Sequence, residues 1–212
     1  MKAITLWMMV VAAGLLAACG NPKTTADAGL STPLNADEIA GLKYMREEEE
    51  LARDLYMTIF NNKGLTVFQN ISLNSETVHA QKMLDLLNTY GETDPSTGIA
   101  NAYTDPALQT LSDQLINTAA GATSTDLDAL MVGALVEEVD IADINHEKSL
   151  VQPVHALIIQ TYENLLCGSR NHLRAFVTQI EPITGVTYTP QVPALATEVA
   201  AILASPSEQC GR

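Results

Sequence analysis

Glu76-Thr77-Val78-His79 lies inside a stretch, residues 66–90, whose apolar residues recur at helical spacing. Residues three apart sit on one helix face about a turn from each other, so this carboxylate and imidazole can reach a single ion or a bridged pair. One helix earlier, Glu49-Glu50-Leu51-Ala52-Arg53-Asp54-Leu55-Tyr56 places Glu49 in a stripe between Met45 and Ala52, both core-like. Its neighbours Glu47, Glu48 and Glu50 fall at other azimuths and read as a solvated face. Tyr56, seven residues beyond Glu49, shares its face and can donate a hydroxyl to a ligand carboxylate. Burying carboxylates and imidazoles is costly without compensation, and in a helix bundle the usual compensator is a pair of metal ions.

Helical periodicity extends outward from that stretch in both directions. Residues 36–62 form a helix capped by Asp37, striped by Leu42, Met45, Ala52, Tyr56 and Ile59, and ended by Lys63-Gly64. The second helix starts with Thr66 as cap, carries Leu73, Glu76, His79 or Ala80, Met83, Leu87 and Tyr90 on one stripe, and stops at Gly91. After a loop, Asp105-Pro106 opens a shorter helix to about residue 120. Ser124 or Thr125 caps a third long helix with the stripe Leu127, Leu130, Ala134, Glu137, Ile141 and Ile144. A fourth runs from Pro153 to near residue 180, with Ile158, Tyr162, Leu165, Ser169, His172 and Phe176 aligned, and Glu181-Pro182 ends it. No segment has a pattern strong enough to build a sheet. The predicted fold class is all-α, a four-helix bundle of two helical hairpins with a short crossover helix and an irregular C-terminal tail.

The second hairpin repeats the first imperfectly. Glu137 and His172 stand in the apolar stripes of their helices. Ser169-x-x-His172 copies the spacing of Glu76-x-x-His79 with Ser in place of Glu. The candidate metal ligands are therefore Glu49, Glu76, His79, Glu137 and His172, one carboxylate short of a regular two-metal bundle. Asp140, three residues from Glu137, and Glu138, one azimuth away, are the additional candidates, and either can be the third-helix ligand. Tyr56, Tyr162 and Ser169 are placed to orient the ligands. The set leaves open whether two unequal ions or one are held. Arg53, Arg170 and Arg174 are the cations that can neutralise the carboxylates instead of a metal. His146 and His155 flank a loop and read as solvated. Carboxylate-rich sites with few imidazoles suit iron or manganese, with zinc a further candidate.

The chain has 212 residues and a net charge of −14. A short positive start, an uncharged apolar stretch over residues 3–18 and Leu16-Ala17-Ala18-Cys19 read as a bacterial lipoprotein signal, with Cys19 as the lipidated N-terminus. Removing 18 residues leaves 194 and, with Lys2 gone, a charge of −15. Residues 19–36 read as a tether, 37–191 as the bundle and 192–212 as the tail. The expected location is the cell envelope, anchored by lipid and facing the periplasm, with Gly20 favouring the outer membrane. An acidic chain argues against nucleic-acid binding. Cys167 and Cys210 can pair in an oxidising compartment.

The segments around Glu49 and around Glu76-Thr77-Val78-His79-Ala80 resemble the first two helix motifs of rubrerythrin-type proteins in the ferritin-like superfamily. The segments Tyr44–Asp54, Val132–Ile141 and Tyr162–Phe176 are similar to a ferritin-like domain family of unknown function. The resemblance implies a ferritin-like core and a di-iron or di-manganese site that handles metal or oxidant, as a peroxidase or ferroxidase does. With no Cys-x-x-Cys pair in the sequence, turnover of that kind needs an external electron donor. A homodimer is open. The rival expectation is a non-catalytic helical lipoprotein that binds another envelope component and keeps a vestigial metal site.

Overall fold

The computed structural model describes residues 30–211; the residues read above as a signal peptide, Cys19 and most of those read as a tether lie outside them. The described residues are helical with no strand, and the long helices pack as a bundle. Helix α1 is Ala36–Lys63. Helices α2 (Thr66–Ile71) and α3 (Thr77–Tyr90) are joined without a break by a π-helical turn, Ser72–Glu76. A crossover helix α4 (Pro106–Ala120) leads to α5 (Asp126–Leu150), which pairs closely with α6 (Ala156–Thr184). The tail ends in α7 (Ala196–Ala204). None of these helices is long and apolar enough to cross a membrane.

Local chemistry explains the helix ends. Asn35, rather than Asp37, caps α1, in a reciprocal box with Glu38. Thr125 and Asp128 form the same device on α5, and Asp105 with Pro106 starts α4. Helix α6 starts at Ala156, three residues after Pro153, and carries Pro182 within its last turn before Gly185 closes it.

The core runs the length of the bundle. Tyr56, Phe68 and Phe176 form an edge-on aromatic cluster from α1, α2 and α6, with ring centroids 4.9–5.4 Å apart. Leu42, Met45, Leu55, Met83, Leu87, Ile141 and Ile144 are fully buried around it. The tail is fastened to the bundle. Val199 and Ile202 of α7 are buried, Arg170 and Arg174 hold Glu208, and Cys167 is disulfide-bonded to Cys210.

Three sequence expectations are corrected here. Leu73 is half exposed, because the π turn inserts a residue into the helical register and turns Ser72 and Glu76 inward in its place. Glu47, Glu48 and Glu50 are not a solvated face, since all three are buried alongside Glu49. Glu47 accepts hydrogen bonds from the backbone of Thr104 and Asp105, and Glu50 pairs with Arg46 and Arg53. His155 is also fully buried, against Glu38 at 2.6 Å, whereas His146 is exposed as expected.

Candidate metal centre

The structure brings Glu49 (α1), Glu76 (the π turn), His79 (α3), Glu137 (α5) and His172 (α6) together inside the bundle, each at most 8% exposed. They form two triads that share Glu76: Glu49–Glu76–His79 and Glu76–Glu137–His172. His79 Nδ1 lies 2.9 Å from Glu76 Oε2 and 3.3 Å from Glu49 Oε2. His172 Nδ1 lies 2.8 Å from Glu76 Oε1 and 3.4 Å from Glu137 Oε2. The two imidazoles stack 5.7 Å apart, one on each side of the shared carboxylate.

These distances are short, yet His79 Nδ1, His172 Nδ1, Glu76 Oε1 and Glu49 Oε1 are buried without a hydrogen-bond partner. The nitrogens and oxygens approach one another without being aimed at one another. Donor atoms around a common ion behave this way. With bonds of about 2.1 Å, neighbouring ligand atoms come to about 3 Å while their lone pairs point inward. A solved core hydrogen bond has no reason to leave four such atoms unmatched. The residues present therefore fit a metal ion, which either triad could hold, with Glu76 common to both.

The surrounding side chains hold the donors in place. The Tyr56 hydroxyl donates to Glu137 Oε1 at 2.5 Å. Ser169 donates to Asp140 Oδ2, so the residue standing where a second Glu was expected fixes an aspartate of the facing helix instead. Ser75 Oγ lies 3.4 Å from His79 Nε2. Gly168 is required beside His79: a Cβ there would stand 2.5 Å from Cε1 and 2.6 Å from Nε2 of that ring. Sequence reasoning missed this role, although a glycine in mid-helix, at about 1 kcal/mol relative to alanine, was the available signal.

Two further candidates fall elsewhere. Glu138 faces away from the site and accepts from the Tyr188 hydroxyl and the backbone of Gln191 and Val192, so its carboxylate fastens the tail. Tyr162 is fully buried, and the carboxylates that bear on its hydroxyl, Glu147, Glu48 and Glu38, belong to neither triad. The three arginines are occupied outside the site as well, Arg53 by Glu50 and Asp54, and Arg170 and Arg174 by Glu208.

A family model described as "Uncharacterized protein domain (DUF2202)" matches residues 38–206. The chain belongs to the DUF2202 family. It is similar to uncharacterized protein MJ0754 of Methanocaldococcus jannaschii, 39% identical over 160 residues that cover 75% of this chain and 83% of the relative. The crystal structure of hypothetical protein MJ0754 from Methanococcus jannaschii DSM 2661 shares its fold, with a TM-score of 0.77 at 36% identity over 84% of this chain and 98% of the other.

Charge in the DUF2202 site is out of balance on the protein's own groups. Burial pushes the Glu49 carboxyl up to about 7, against the pull of His79. Burial alone would raise Glu76, but the two imidazoles flanking it hold it well below the usual carboxylate range. Burial disfavours the charged imidazoles too, yet Glu76 and Glu137 lift His172 to about 10, and Glu49 and Glu76 lift His79. Without a metal, protons on the imidazoles supply the positive charge a metal ion would supply. The outer edges of His79 and His172 border a groove of about 820 Å³ between α3 and α6, which includes Val78, Lys82, Asn171 and Cys210. Small molecules can approach the site from this side.

Proposed function

We propose that this chain is a ferritin-like protein of the cell envelope, anchored through Cys19, in which Glu49, Glu76, His79, Glu137 and His172 hold two iron or manganese ions and serve metal handling or the reduction of an oxidant. One observation carries the reading: Glu76 lies between two imidazole nitrogens at 2.8 and 2.9 Å, with its partners' lone pairs unmatched by hydrogen bonds. The helix arrangement supports it, with a carboxylate from each of α1 and α5, a Glu-x-x-His pair across the π turn and α3, and a histidine from α6. Three carboxylates with two imidazoles favour iron or manganese over copper.

Bound in this cage, such ions would supply one-electron chemistry toward dioxygen or peroxide. The chain's own residues do the rest. Glu76 joins the two halves of the site, and Glu49 and Glu137 close its outer sides. Tyr56 fixes the orientation of Glu137 and offers a proton at its hydroxyl. The bundle core keeps bulk water from the carboxylate side, and the groove at the His79 and His172 edges leaves one way in for a small reactant.

The test is metal content. Protein purified after growth in iron or manganese should carry one or two ions per chain, and the Glu49→Ala, His79→Ala double variant should lose them while keeping its helix content. Unchanged metal content in that variant would remove the proposal. Iron-loaded, anaerobic protein exposed to air should also develop a new near-ultraviolet band that the variant lacks.

A further inference from the structure

Cys167 and Cys210 are the chain's only cysteines after Cys19, and their disulfide lies beside the Glu/His site. Cys167 precedes Gly168, whose missing Cβ makes room for the His79 ring and would also stand 3.7 Å from His172 Cε1. Cys210 and Gly211 line the groove between α3 and α6 together with the edges of His79 and His172. The two sulfurs differ in access, Cys167 being 8% exposed and Cys210 only partly buried. Asn171 turns its Nδ2 amide toward Cys210 Sγ at 3.3 Å, an N–H that a thiolate at this position would accept.

The tail has fastenings besides this bond. Val199 and Ile202 are buried, Arg174 Nε donates to the Ile202 carbonyl, and Arg170 and Arg174 pair with Glu208. Asn171 brackets Glu208, donating from Nδ2 to its carbonyl at 3.1 Å and accepting at Oδ1 from its N–H at 2.9 Å. Cys210 follows that anchor by two residues. Once the bond is opened, α6 still carries one thiol and the Glu208 anchor still holds the other beside it. A staple that serves only stability has no need of a groove shared with the imidazoles, whereas a disulfide that exchanges with an outside thiol needs access for it.

We propose that Cys167 and Cys210 are a redox couple, through which a dithiol reductant seated in the groove supplies electrons for an oxidant reduced at the Glu/His centre. A thiolate of the reductant attacks Cys210 Sγ, the accessible sulfur. The S–S bond breaks, and Cys167 leaves and takes the proton given up by the attacking thiol. The reductant's second thiolate then attacks the reductant's own first sulfur, now bonded to Cys210. That step closes the reductant's disulfide and releases Cys210 beside the Asn171 amide, where it takes the second proton. The chain gains two electrons and two protons, and the dithiol loses as many. Return to the Cys167–Cys210 disulfide gives them up again, the amount that turns one hydrogen peroxide into two waters. Exchange with the dithiol stands on the groove and the two sulfurs alone; use of the electrons at the Glu/His centre rests on the function proposed above.

The experiment holds the folded full chain in dithiothreitol of graded reduced-to-oxidised ratio, alkylates it, and weighs the Cys167 and Cys210 peptides separately from that of Cys19. The pair should open and close reversibly with circular dichroism unchanged. With oxidised glutathione as probe, Cys210 in the Cys167→Ser variant should form the mixed disulfide about tenfold faster, or more, than Cys167 in the Cys210→Ser variant. Reduced protein loaded with iron or manganese and given one equivalent of hydrogen peroxide should re-form the disulfide, about tenfold faster or more than the Glu49→Ala, His79→Ala variant. A pair that stays oxidised until the helices melt, or a Cys167 as reactive as Cys210, would overturn the proposal even if the ions bind. Equal rates of re-formation in the metal-loaded wild type and the Glu49/His79 variant would overturn it too. A pair that cycles in protein unable to hold either metal would sustain the exchange with dithiols and sink the Glu/His reading instead.

Discussion

Glu38 with His155, and Glu76 with His79 and His172, use the same residue types at similar N–O distances, 2.6 Å in the first case and 2.8–2.9 Å in the second. Both are buried. They differ in how their remaining atoms are met. Glu38 Oε1 accepts from the Gln152 backbone as well as facing His155 Nδ1, and Oε2 accepts from the Asn35 backbone and the Gln152 amide. His155 Nε2 reaches the Thr32 carbonyl. Every polar atom has a partner, and the result is a clamp that ties the start of α1 to the turn before α6. Around Glu76 the distances are similar, but both imidazole Nδ1 atoms and Glu76 Oε1 lack a hydrogen-bond partner. Satisfaction, more than residue type or burial, separates a structural Glu–His pair from a ligand pair.

The largest effect should come from exchanging the two losses. Glu76→Gln should abolish metal binding at ion concentrations that saturate the wild type, since it removes the only carboxylate common to both triads. Glu38→Gln should leave metal content intact and instead cost about 3 kcal/mol, on the order of 10 °C in Tm, because His155 loses a fully buried partner. Metal analysis and thermal melts of both variants check this. Loss of metal in Glu38→Gln, or its retention in Glu76→Gln, would break the distinction.

The two regions should also answer pH in opposite senses. An imidazole must release its proton before it can bind an ion. His172 is held up to about 10 and His79 is raised as well. Metal affinity should therefore climb with pH, about tenfold per unit for each proton displaced, and level off only as pH approaches about 10. In metal-free protein, the stability contributed by charged His172 is fully present below 6.5 and is lost as pH rises toward about 10. Burial would raise Glu38, but donors from Asn35, His155 and Gln152 outweigh it and hold the carboxyl below 4.5. Its contribution is present above 4.5 and disappears as pH falls. Melts of the chelated protein should decline on both sides; Glu76→Gln should flatten the alkaline decline together with its own share of the acid one, whereas Glu38→Gln should flatten the acid side alone.

How much of this was legible in the sequence depended on range. The helices and the Glu76-x-x-His79 pair could be read because their signals, a 3.6-residue period and a three-residue spacing, are local. Leu73 was misplaced because a straight helix was assumed. A π turn shifts the register by one residue, and only tertiary contact, here the Ser72 hydroxyl on the Arg53 carbonyl, favours it. His155 and Glu47 were read as solvated because their partners are far away in the chain: Glu38 for His155, and Thr104 and Asp105 for Glu47. Glu138 and Glu137 are adjacent and equally acidic; what assigns one to the tail and the other to the centre is the distant Tyr188 and Tyr56.

Tyr56 gives the finest test of the comparison, because it is a satisfied bond inside the unsatisfied site. Its ring packs edge-on between Phe68 and Phe176, so Tyr56→Phe keeps the core and removes only the hydroxyl that donates to Glu137. If Glu137 is a ligand, losing the donor that orients it should weaken metal binding by about 10- to 100-fold. The unmatched Glu137 oxygen should cost the metal-free protein no more than about 1–3 kcal/mol. Were Glu137 instead a core residue like Glu38, the stability loss would appear alone and the Mn²⁺ isotherm would not move. Measuring both quantities on one variant separates a hydrogen bond that serves the fold from one that serves the ion.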